Sequence, residues 1–379
     1  MREFVNALGN SYVPSQFLTF DDIVLLPQYS NITSRYSNQI NTSKNIHGIQ
    51  FDIPIVSSNM DTITGKDMAI EMNFLGGLGI LHRFHSTIEE YESEILRVSG
   101  TLGNRIVAFS VGVGDNQPID WIKNIVVNIG NSVEDIIICL DIAHGHSQNG
   151  FNKAQEIRDT FPCGGKVKLC VGNIATRQAV EMYSVLGIEF YKVGVSPGAC
   201  CQTRTVAGHG VPQVTAIMQV RDAIDNMIDY DPNFVRPYII ADGGIRSSGD
   251  IVKALAVGAD LVMLGSMLAG TEETPGEVIT TENGQVKNYR GQSSKTFMND
   301  AGKTGRSSEG ISSYIPYKGK IEDVLSDLMG GVRSGMSYSN CNFIGELYYD
   351  ADITEVSHAG LQEGHTHILN TNGAVFHGH

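Results

Sequence analysis

The sequence predicts a (β/α)8 barrel, the TIM-barrel class of α/β folds. Eight short apolar or β-branched runs recur along the chain, and each leads into a polar loop before a helical pattern begins. Continuous rather than alternating apolar runs are typical of a parallel sheet buried on both faces. A doubly wound open sheet is the alternative. The predicted strands are IPIVS from Ile53, GLGIL from Gly77, IVAFSV from Ile106, DIIICL from Asp135, VKLCV from Val167, FYKV from Phe190, YIIA from Tyr238 and LVML from Leu261.

The segments between the strands have the pattern of amphipathic helices. Thr87 to Val98 opens with Thr87 and Glu90 at capping-box spacing, and Gln148 to Thr160 is a second example. The loops that follow the strands favour the barrel, because barrel enzymes place their active sites at the carboxyl ends of the strands. These loops read SNMD, HRF, GVGD, DIAHGHS, GNIAT, GVSPGACCQT, DGGIRSSGD and GSMLAGTEE.

The pattern predicts one barrel domain over residues 1–345. Two segments depart from it. The polar stretch from Thr280 to Gly319 is long enough to form a mobile flap over the mouth of the barrel. Residues 346–379 are expected to form a loose C-terminal tail, which is favoured over a metal site although the tail is rich in histidine. The histidines in question are His358, His365, His367, His377 and His379.

Charge and composition exclude several classes of protein. The 379 residues carry a formal net charge of −14, which opposes non-specific binding to nucleic acid or to anionic membranes. The N-terminus MREFVNALGN resembles no signal peptide, and no run approaches the roughly 18 apolar residues of a membrane span, so a cytoplasmic protein is expected. The six cysteines lack CxxC pairs, and reduced thiols are therefore expected.

The loops after the seventh and eighth strands predict a phosphate site. Gly243, Gly244 and Gly265 allow backbone N–H groups to approach an anion, and Ser266 adds a hydroxyl. The helix that begins near Ser248 adds a partial positive charge at its N-terminus. The alternative is that these glycines only form tight turns. Asp242 suits sugar hydroxyls rather than phosphate. The two loops together predict a bound mononucleotide.

The loop GVSPGACCQTRT, residues 194–205, predicts a reactive thiol. A thiolate needs an activating environment, and this loop supplies Thr203, Arg204 and free backbone amides at the catalytic end of the barrel. Composition alone does not distinguish Cys200 from Cys201. Cys139 and Cys170 lie inside apolar strands and are expected to be buried and inert.

The motifs NMDT, DIAHGHS, GVSPGACCQTR, ADGGIRSSGD, GSMLAGTEETPGE and GGVRSGMSY together resemble the family of inosine monophosphate dehydrogenase and guanosine monophosphate reductase. The resemblance runs from about Phe17 to Tyr338. It implies a (β/α)8 barrel, usually a homotetramer, which joins C2 of a purine mononucleotide to a cysteine while a nicotinamide cofactor exchanges hydride. It gives no role to nucleic acid or to a membrane.

The resemblance also implies roles for individual residues. Cys201 takes the position of the nucleophile with Cys200 as a bystander, Thr203 relays a proton, and Glu309 is the acid near the base. The implied nucleotide contacts are Asp242, Gly243, Gly244, Gly265, Ser266, Gly291, Gln292, Ser293, Arg306, Ser307, Ser308 and Gly310. The implied cofactor contacts are Ser34, Arg35, Arg83, Asp141, Ile142, Ala143, Ser334, Gly335, Met336 and Ser337. Potassium is implied at the carbonyls of Ser196, Gly198, Cys201 and Arg204.

The flap sequence predicts the reductase branch, which converts GMP to IMP and ammonia with NADPH. The dehydrogenase hydrolyses the cysteine adduct with water activated by an Arg-Tyr pair, whereas here Arg306 is followed by Ser307. DIAHGHS and LHRF also resemble the reductase, and the segment between Ile95 and Arg105 has no room for the regulatory CBS domain pair of most dehydrogenases. YRGQSS and GTEETPGE instead resemble the dehydrogenase.

Three alternatives therefore remain open. The first is an IMP dehydrogenase that uses NAD. The second is an enzyme acting on a modified or deoxy purine nucleotide, because Ala199 stands where a phosphate-binding serine is usual and Ser196 replaces a glycine. The third is a non-catalytic nucleotide-binding regulator. Retention of Cys201, Thr203 and Glu309 argues against the third, because a binding protein needs none of them.

Overall fold

Eight parallel strands close into a barrel in the computed structural model, which describes residues 2–300 and 308–364. The strands follow one another in chain order, and the eighth pairs with the first. The barrel fold and all eight predicted strands are confirmed, and the open sheet is excluded. The strands are Ile55–Ser57, Leu78–Leu81, Val107–Val111, Ile136–Asp141, Val167–Ile174, Phe190–Val193, Tyr238–Asp242 and Leu261–Leu264.

The barrel strands bury both faces, which explains their continuous apolar runs. One set of side chains fills the barrel interior, and it includes Ile80, Ile137, Phe190 and Met263. The other set faces the surrounding helices. A hairpin of Lys44–Ile46 and Ile49–Phe51 adds Ile46, Ile49 and Phe51 to the interior cluster.

Helices surround the barrel, and the longer ones follow the strands. Capping residues explain where some of these helices begin, and buried apolar side chains explain which face of each helix packs against the barrel. The Thr87 hydroxyl accepts a hydrogen bond from the Glu90 N–H, as the capping-box spacing predicts, and the helix continues to Leu102. The α-helices are Lys66–Phe74, Ile88–Leu102, Ile119–Ile129, Gln148–Thr160, Arg177–Tyr183, Thr203–Val206, Gln213–Tyr230, Ser248–Ala256, Lys295–Asp300, Ile321–Tyr338, Glu346–Asp350 and His358–Glu363. Two short 3-10 helices are Phe20–Asp22 and Ser184–Leu186.

The predicted flap, residues 280–319, has structure of its own. Ile279–Thr281, Gly284–Arg290 and Ser312–Pro316 form a three-stranded antiparallel sheet. This sheet is tied to the loop after the first barrel strand, since Arg290 Nη2 lies 2.6 Å from Asp61 Oδ2. The flap therefore has a fixed attachment at the mouth of the barrel.

The described terminal segments, residues 2–25 and 346–364, pack beside the barrel, so the expectation of a loose tail from residue 346 is wrong for residues 346–364. Ile353–Glu355 pairs with Ile23–Leu25 in an antiparallel sheet, and Phe4–Val5 pairs with Ser11–Tyr12. Leu347 and Ile353 are fully buried, and their burial explains why residues 346–364 dock on the barrel. Of the five tail histidines, His358 begins the last helix, and the other four lie outside the described residues.

Among the helices that the structure describes, none combines the length and the apolar character needed to cross a membrane.

Candidate functional site

Loops from the carboxyl ends of the barrel strands enclose a cavity of about 210 Å³. Asp141 ends the fourth strand and Asp242 ends the seventh, while Cys201 lies in the loop after the sixth. The flap closes the same cavity with residues 291–293 and with Glu309. The cavity therefore lies where barrel enzymes place their active sites.

Cys201, Thr203 and Glu309 form a continuous series of hydrogen bonds, which we call the thiol relay. The Cys201 thiol donates to the Thr203 hydroxyl over 3.2 Å, and that hydroxyl donates to Glu309 Oε2 over 2.8 Å. Cys201 is exposed at the cavity, whereas Cys200 is buried and burial raises the pKa of its thiol. The relay therefore contains Cys201, whereas burial disfavours ionisation of the Cys200 thiol.

Backbone hydrogen bonds hold the cysteine loop against the flap. The Gln202 N–H donates to the Glu309 carbonyl over 2.6 Å, and the Ile311 N–H donates to the Cys200 carbonyl over 3.1 Å. The Gly291 N–H in turn donates to the Ile311 carbonyl over 2.9 Å. Loop and flap thus form one hydrogen-bonded layer, which brings Glu309 to Thr203 although 106 positions separate them in sequence.

The two loops predicted to hold a nucleotide are neighbours, because Asp242 pairs with Met263 across the last two strands. Asp242 Oδ2 accepts a hydrogen bond from Asn173 Nδ2 over 2.7 Å and lines the cavity together with Gly243. Gly243 has φ +94°, and a Cβ there would lie 3.0 Å from the Gly198 nitrogen. This glycine therefore permits close approach of the cysteine loop.

The remaining predicted nucleotide contacts fall into two groups. Gly244 has φ +82° and lies next to Pro197. Gly265 lies close to Tyr289, because a Cβ built on Gly265 would be 3.2 Å from the Tyr289 hydroxyl. The Ser266 carbonyl accepts a hydrogen bond from Lys318 Nζ over 3.0 Å. Lys318 was not identified from the sequence as a residue near this loop. On the flap, Gly291, Gln292, Ser293 and Gly310 line the cavity, and the Ser308 hydroxyl donates to the Ser293 carbonyl. Arg306 and Ser307 lie outside the described residues.

Lys192 lines the cavity, and it was not identified from the sequence as a site residue. Its Nζ is 2.7 Å from Asp141 Oδ1, 3.7 Å from Asp242 Oδ2 and 3.4 Å from Asn59 Oδ1. Burial alone would lower the pKa of Lys192, but the two carboxylates raise it above its ordinary value. The sequence does contain a signal that could have identified Lys192, namely a lysine inside the apolar run FYKV. A charged side chain buried in a strand needs charged or polar partners, and such partners are often part of a site.

The predicted cofactor contacts separate into two sets. Arg83 pairs with Asp141 over 3.3 Å, Ile142 exchanges backbone hydrogen bonds with the fifth strand, and Ala143 lines the cavity. Burial alone would raise the pKa of Asp141, but Lys192 and Arg83 lower it to about 2. Of this set, Asp141 and Ala143 line the cavity, and Arg83 is the ion-pair partner of Asp141.

The second set lies away from the cavity lining. Ser334, Gly335, Met336 and Ser337 belong to the outer helix Ile321–Tyr338, where a Cβ at Gly335 would lie 2.7 Å from Val252 and Met336 is fully buried. Arg333 of this helix donates to the Arg35 carbonyl over 2.7 Å, which places Ser34 and Arg35 beside the helix. A cofactor role for these six residues stays a prediction.

The four residues predicted to bind potassium share one loop. The Ser196 hydroxyl accepts from the Arg204 N–H, and the Gly198 carbonyl accepts from the Cys201 N–H, each over 2.9 Å. Ser196 has φ +74°, in the region that favours glycine. These hydrogen bonds close the loop, while a carbonyl oxygen keeps a second lone pair for a cation. Potassium binding therefore fits the loop and stays a prediction.

Comparisons with known proteins identify the family to which the chain belongs. Residues 17–367 match the family described as "IMP dehydrogenase / GMP reductase domain". Similar proteins named inosine-5'-monophosphate dehydrogenase include those of Borreliella burgdorferi, 33% identical over 94% of this chain and 98% of the relative, and Nitrosopumilus maritimus, 31% identical over 92% and 98%. A third, from Cryptosporidium parvum, is 36% identical over 92% of this chain and 94% of the relative. These names favour the dehydrogenase, which the sequence left as an alternative, over the reductase.

Proposed function

Because the chain belongs to the IMP dehydrogenase / GMP reductase family, we propose that it oxidises IMP to XMP with NAD. The observation that carries the proposal is the thiol relay, which joins Cys201 to Glu309 through Thr203 at the mouth of the barrel. An exposed thiol supplies a nucleophile, and a hydroxyl bonded to a carboxylate supplies a path for its proton. The names of the relatives support IMP as the nucleotide.

The proposed reaction has two half-reactions. The Cys201 thiolate bonds to C2 of IMP, and the hydrogen on C2 leaves as a hydride, which gives a thioimidate. The nicotinamide cofactor supplies the hydride acceptor. Water then adds to C2, the carbon–sulfur bond breaks, and XMP leaves. One water is consumed, and one proton is released for each hydride transferred.

The thiol relay serves both half-reactions. Thr203 takes the thiol proton towards Glu309 when Cys201 attacks, because its hydroxyl contacts both groups. Once that proton has left for solvent, the Glu309 carboxylate accepts a proton from the attacking water through the same hydroxyl and returns it to the departing Cys201 thiolate. This path gives the chain a base for water although its flap sequence has no Arg-Tyr pair.

Reduction of GMP with NADPH is the second candidate, and the sequence of Arg306 and Ser307 favours it. Cys201 would add to C2 of GMP, ammonia would leave with a proton from the relay, and hydride addition at C2 would expel the thiolate. The short segment between Ile95 and Arg105 does not distinguish a reductase from a dehydrogenase. The Borreliella relative aligns over only 409 positions with 98% of its length covered, so a protein named as a dehydrogenase also lacks a large insert.

Parallel assays of the purified chain test the proposal. One contains IMP and NAD, the other GMP and NADPH, and absorbance at the nicotinamide band is followed in both with and without potassium. NADH formation with IMP supports the dehydrogenase, whereas NADPH loss with ammonia release supports the reductase. No turnover in either assay contradicts both and favours a modified or deoxy nucleotide or a binding role. Sedimentation of the same sample tests the proposed homotetramer.

A further inference from the structure

Two histidines and a glutamate come together after the second barrel strand. His82 and His85 lie in the loop that follows this strand, and Glu94 lies in the next helix, Ile88–Leu102. One ring nitrogen of each histidine and one carboxylate oxygen of Glu94 lie within 4.8 Å of one another. We call these three residues the His-Glu cluster. Imidazole nitrogen and carboxylate oxygen are donor types that bind zinc in proteins.

Aromatic packing holds the two histidines in place. The His85 ring stacks on His82 with 4.4 Å between their centroids and on Tyr91 with 4.6 Å. The Tyr91 hydroxyl donates to the Ser110 carbonyl over 2.7 Å and accepts from the Ser110 N–H over 2.9 Å, which fixes this end of the stack. His82 is buried, and the side chains of His85 and Glu94 are only 13% and 19% exposed. Because the donors are already ordered, binding a metal ion costs them little conformational entropy.

The contacts of the His-Glu cluster are ones that a metal ion can replace. His85 Nε2 contacts Glu94 Oε2, while Glu94 Oε1 accepts from the Lys66 N–H over 2.7 Å, which orients the carboxylate. His82 Nδ1 accepts from the Phe84 N–H over 3.1 Å, and a metal ion on either ring nitrogen of His82 ends this bond. Ligand atoms of a tetrahedral zinc ion lie about 3.3 Å apart, because each is roughly 2.0–2.1 Å from the metal. Small shifts of the three side chains therefore suffice to form the site.

The His-Glu cluster lines an open, acidic cavity of about 850 Å³. Among the residues that the structure describes, this cavity shares no lining residue with the one that contains Cys201. Six carboxylates line it against two cationic side chains, those of Lys66 and Arg97. Surplus negative charge attracts a divalent cation, and the open side admits water as a further ligand. The six acidic residues are Asp67, Glu89, Glu90, Glu94, Glu272 and Glu273.

We propose that the His-Glu cluster binds a zinc ion, with water completing the coordination. Two imidazoles and one carboxylate suit zinc, whereas magnesium prefers oxygen ligands alone. The negative charge of the lining raises the local concentration of the cation, and the two histidines select zinc from among divalent ions. The site is separate from the thiol relay, so the inference does not depend on the proposed function.

Calorimetric titration of the full chain with zinc, after treatment with a chelator, tests the inference. His85→Phe keeps the ring stack and removes both nitrogens, and Glu94→Gln keeps the shape but removes the charge. We expect each variant to lose one zinc equivalent per chain that wild type binds tightly, with the Kd of that site raised at least about 100-fold. His358→Phe is the control for other histidines, because His358 is exposed on the last helix, and it should keep the site. Melting temperatures show whether each variant is folded.

Two further measurements distinguish the His-Glu cluster from other sources of zinc binding. Glu90→Gln removes a carboxylate from the same cavity and the same helix but outside the cluster, and it should change the zinc Kd less than about threefold. Bound cobalt(II) should show the visible bands of nitrogen and oxygen coordination without the near-ultraviolet band of a thiolate ligand. The inference is wrong if wild type has no tight zinc site, or if a folded His85→Phe or Glu94→Gln variant keeps it. Equal losses in Glu90→Gln and Glu94→Gln, a thiolate band, or magnesium bound as tightly as zinc would also overturn it.

Discussion

Lys192 reaches across the fifth barrel strand to form a buried ion pair with Asp141, with 2.7 Å between Nζ and Oδ1. Gly172 lies between them, paired with Lys192 on one side and with Asp141 on the other. A Cβ at Gly172 would collide with the Lys192 side chain. The absence of a side chain at this position therefore lets Lys192 contact both Asp141 and Asp242.

Replacing Lys192 with Met should destabilise the protein. The change leaves Asp141 and Asp242 close together without their shared cation, and breaking a buried pair costs roughly 3–5 kcal/mol. Urea unfolding should show this loss. Lys123→Met is the control, since Lys123 pairs with Asp120 on the surface, where an ion pair contributes about 1 kcal/mol or less. Equal effects of the two substitutions would contradict the structural role of Lys192.

Asp141 should contribute to stability at neutral pH and lose that contribution in acid. Its pKa in the folded protein is about 2, below the ordinary value in an unfolded chain of about 3.9. A depressed pKa favours the folded state above the unfolded pKa, and the effect disappears as the pH falls towards 2. Urea midpoints of wild type should therefore fall more steeply between pH 5 and pH 2 than those of Asp141→Asn. Parallel curves would be the contrary result.

Thr203 should affect the rate through its hydroxyl. Thr203→Val keeps the shape but breaks the relay between the thiol and Glu309, and we expect kcat to fall about 100-fold. Thr203→Ser keeps the hydroxyl and should retain most of the activity. Steady-state kinetics with the active nucleotide provide the measurement. A Val variant as active as the Ser variant would exclude proton transfer through this residue.

The fold was predictable because its signal is local and repeated. Each barrel strand is a short apolar run buried on both faces, so FYKV and LVML identify strands without knowledge of their neighbours. Lys192 was missed because its meaning depends on Asp141 and Asp242, which are contributed by other strands. The roles of Thr203 and Glu309 were predicted only through a family resemblance, and their contact was not predicted, since no periodicity connects the sixth loop to the flap.

For residues 346–364, the sequence predicted less structure than the chain has. A polar, histidine-containing sequence suggested a loose segment, yet Leu347 and Ile353 are fully buried and anchor its described part, residues 346–364. Leu347→Ala should therefore cost roughly 2–5 kcal/mol in the free energy of unfolding. Gln362→Ala, at an exposed position of the last helix, should cost little. Thermal or urea unfolding compares the two, and equal stability would mean that the tail does not dock in solution.

The central claim is that Cys201 bonds covalently to the purine, and mass spectrometry of the trapped adduct tests it most directly. The protein is mixed with IMP and NAD, quenched in acid during turnover and digested. The account predicts a purine nucleotide mass on the peptide that contains residues 200 and 201. It also predicts that Cys200→Ala keeps the adduct and that Cys201→Ala loses both the adduct and turnover. An adduct that persists in Cys201→Ala, or full turnover by that variant, would contradict it.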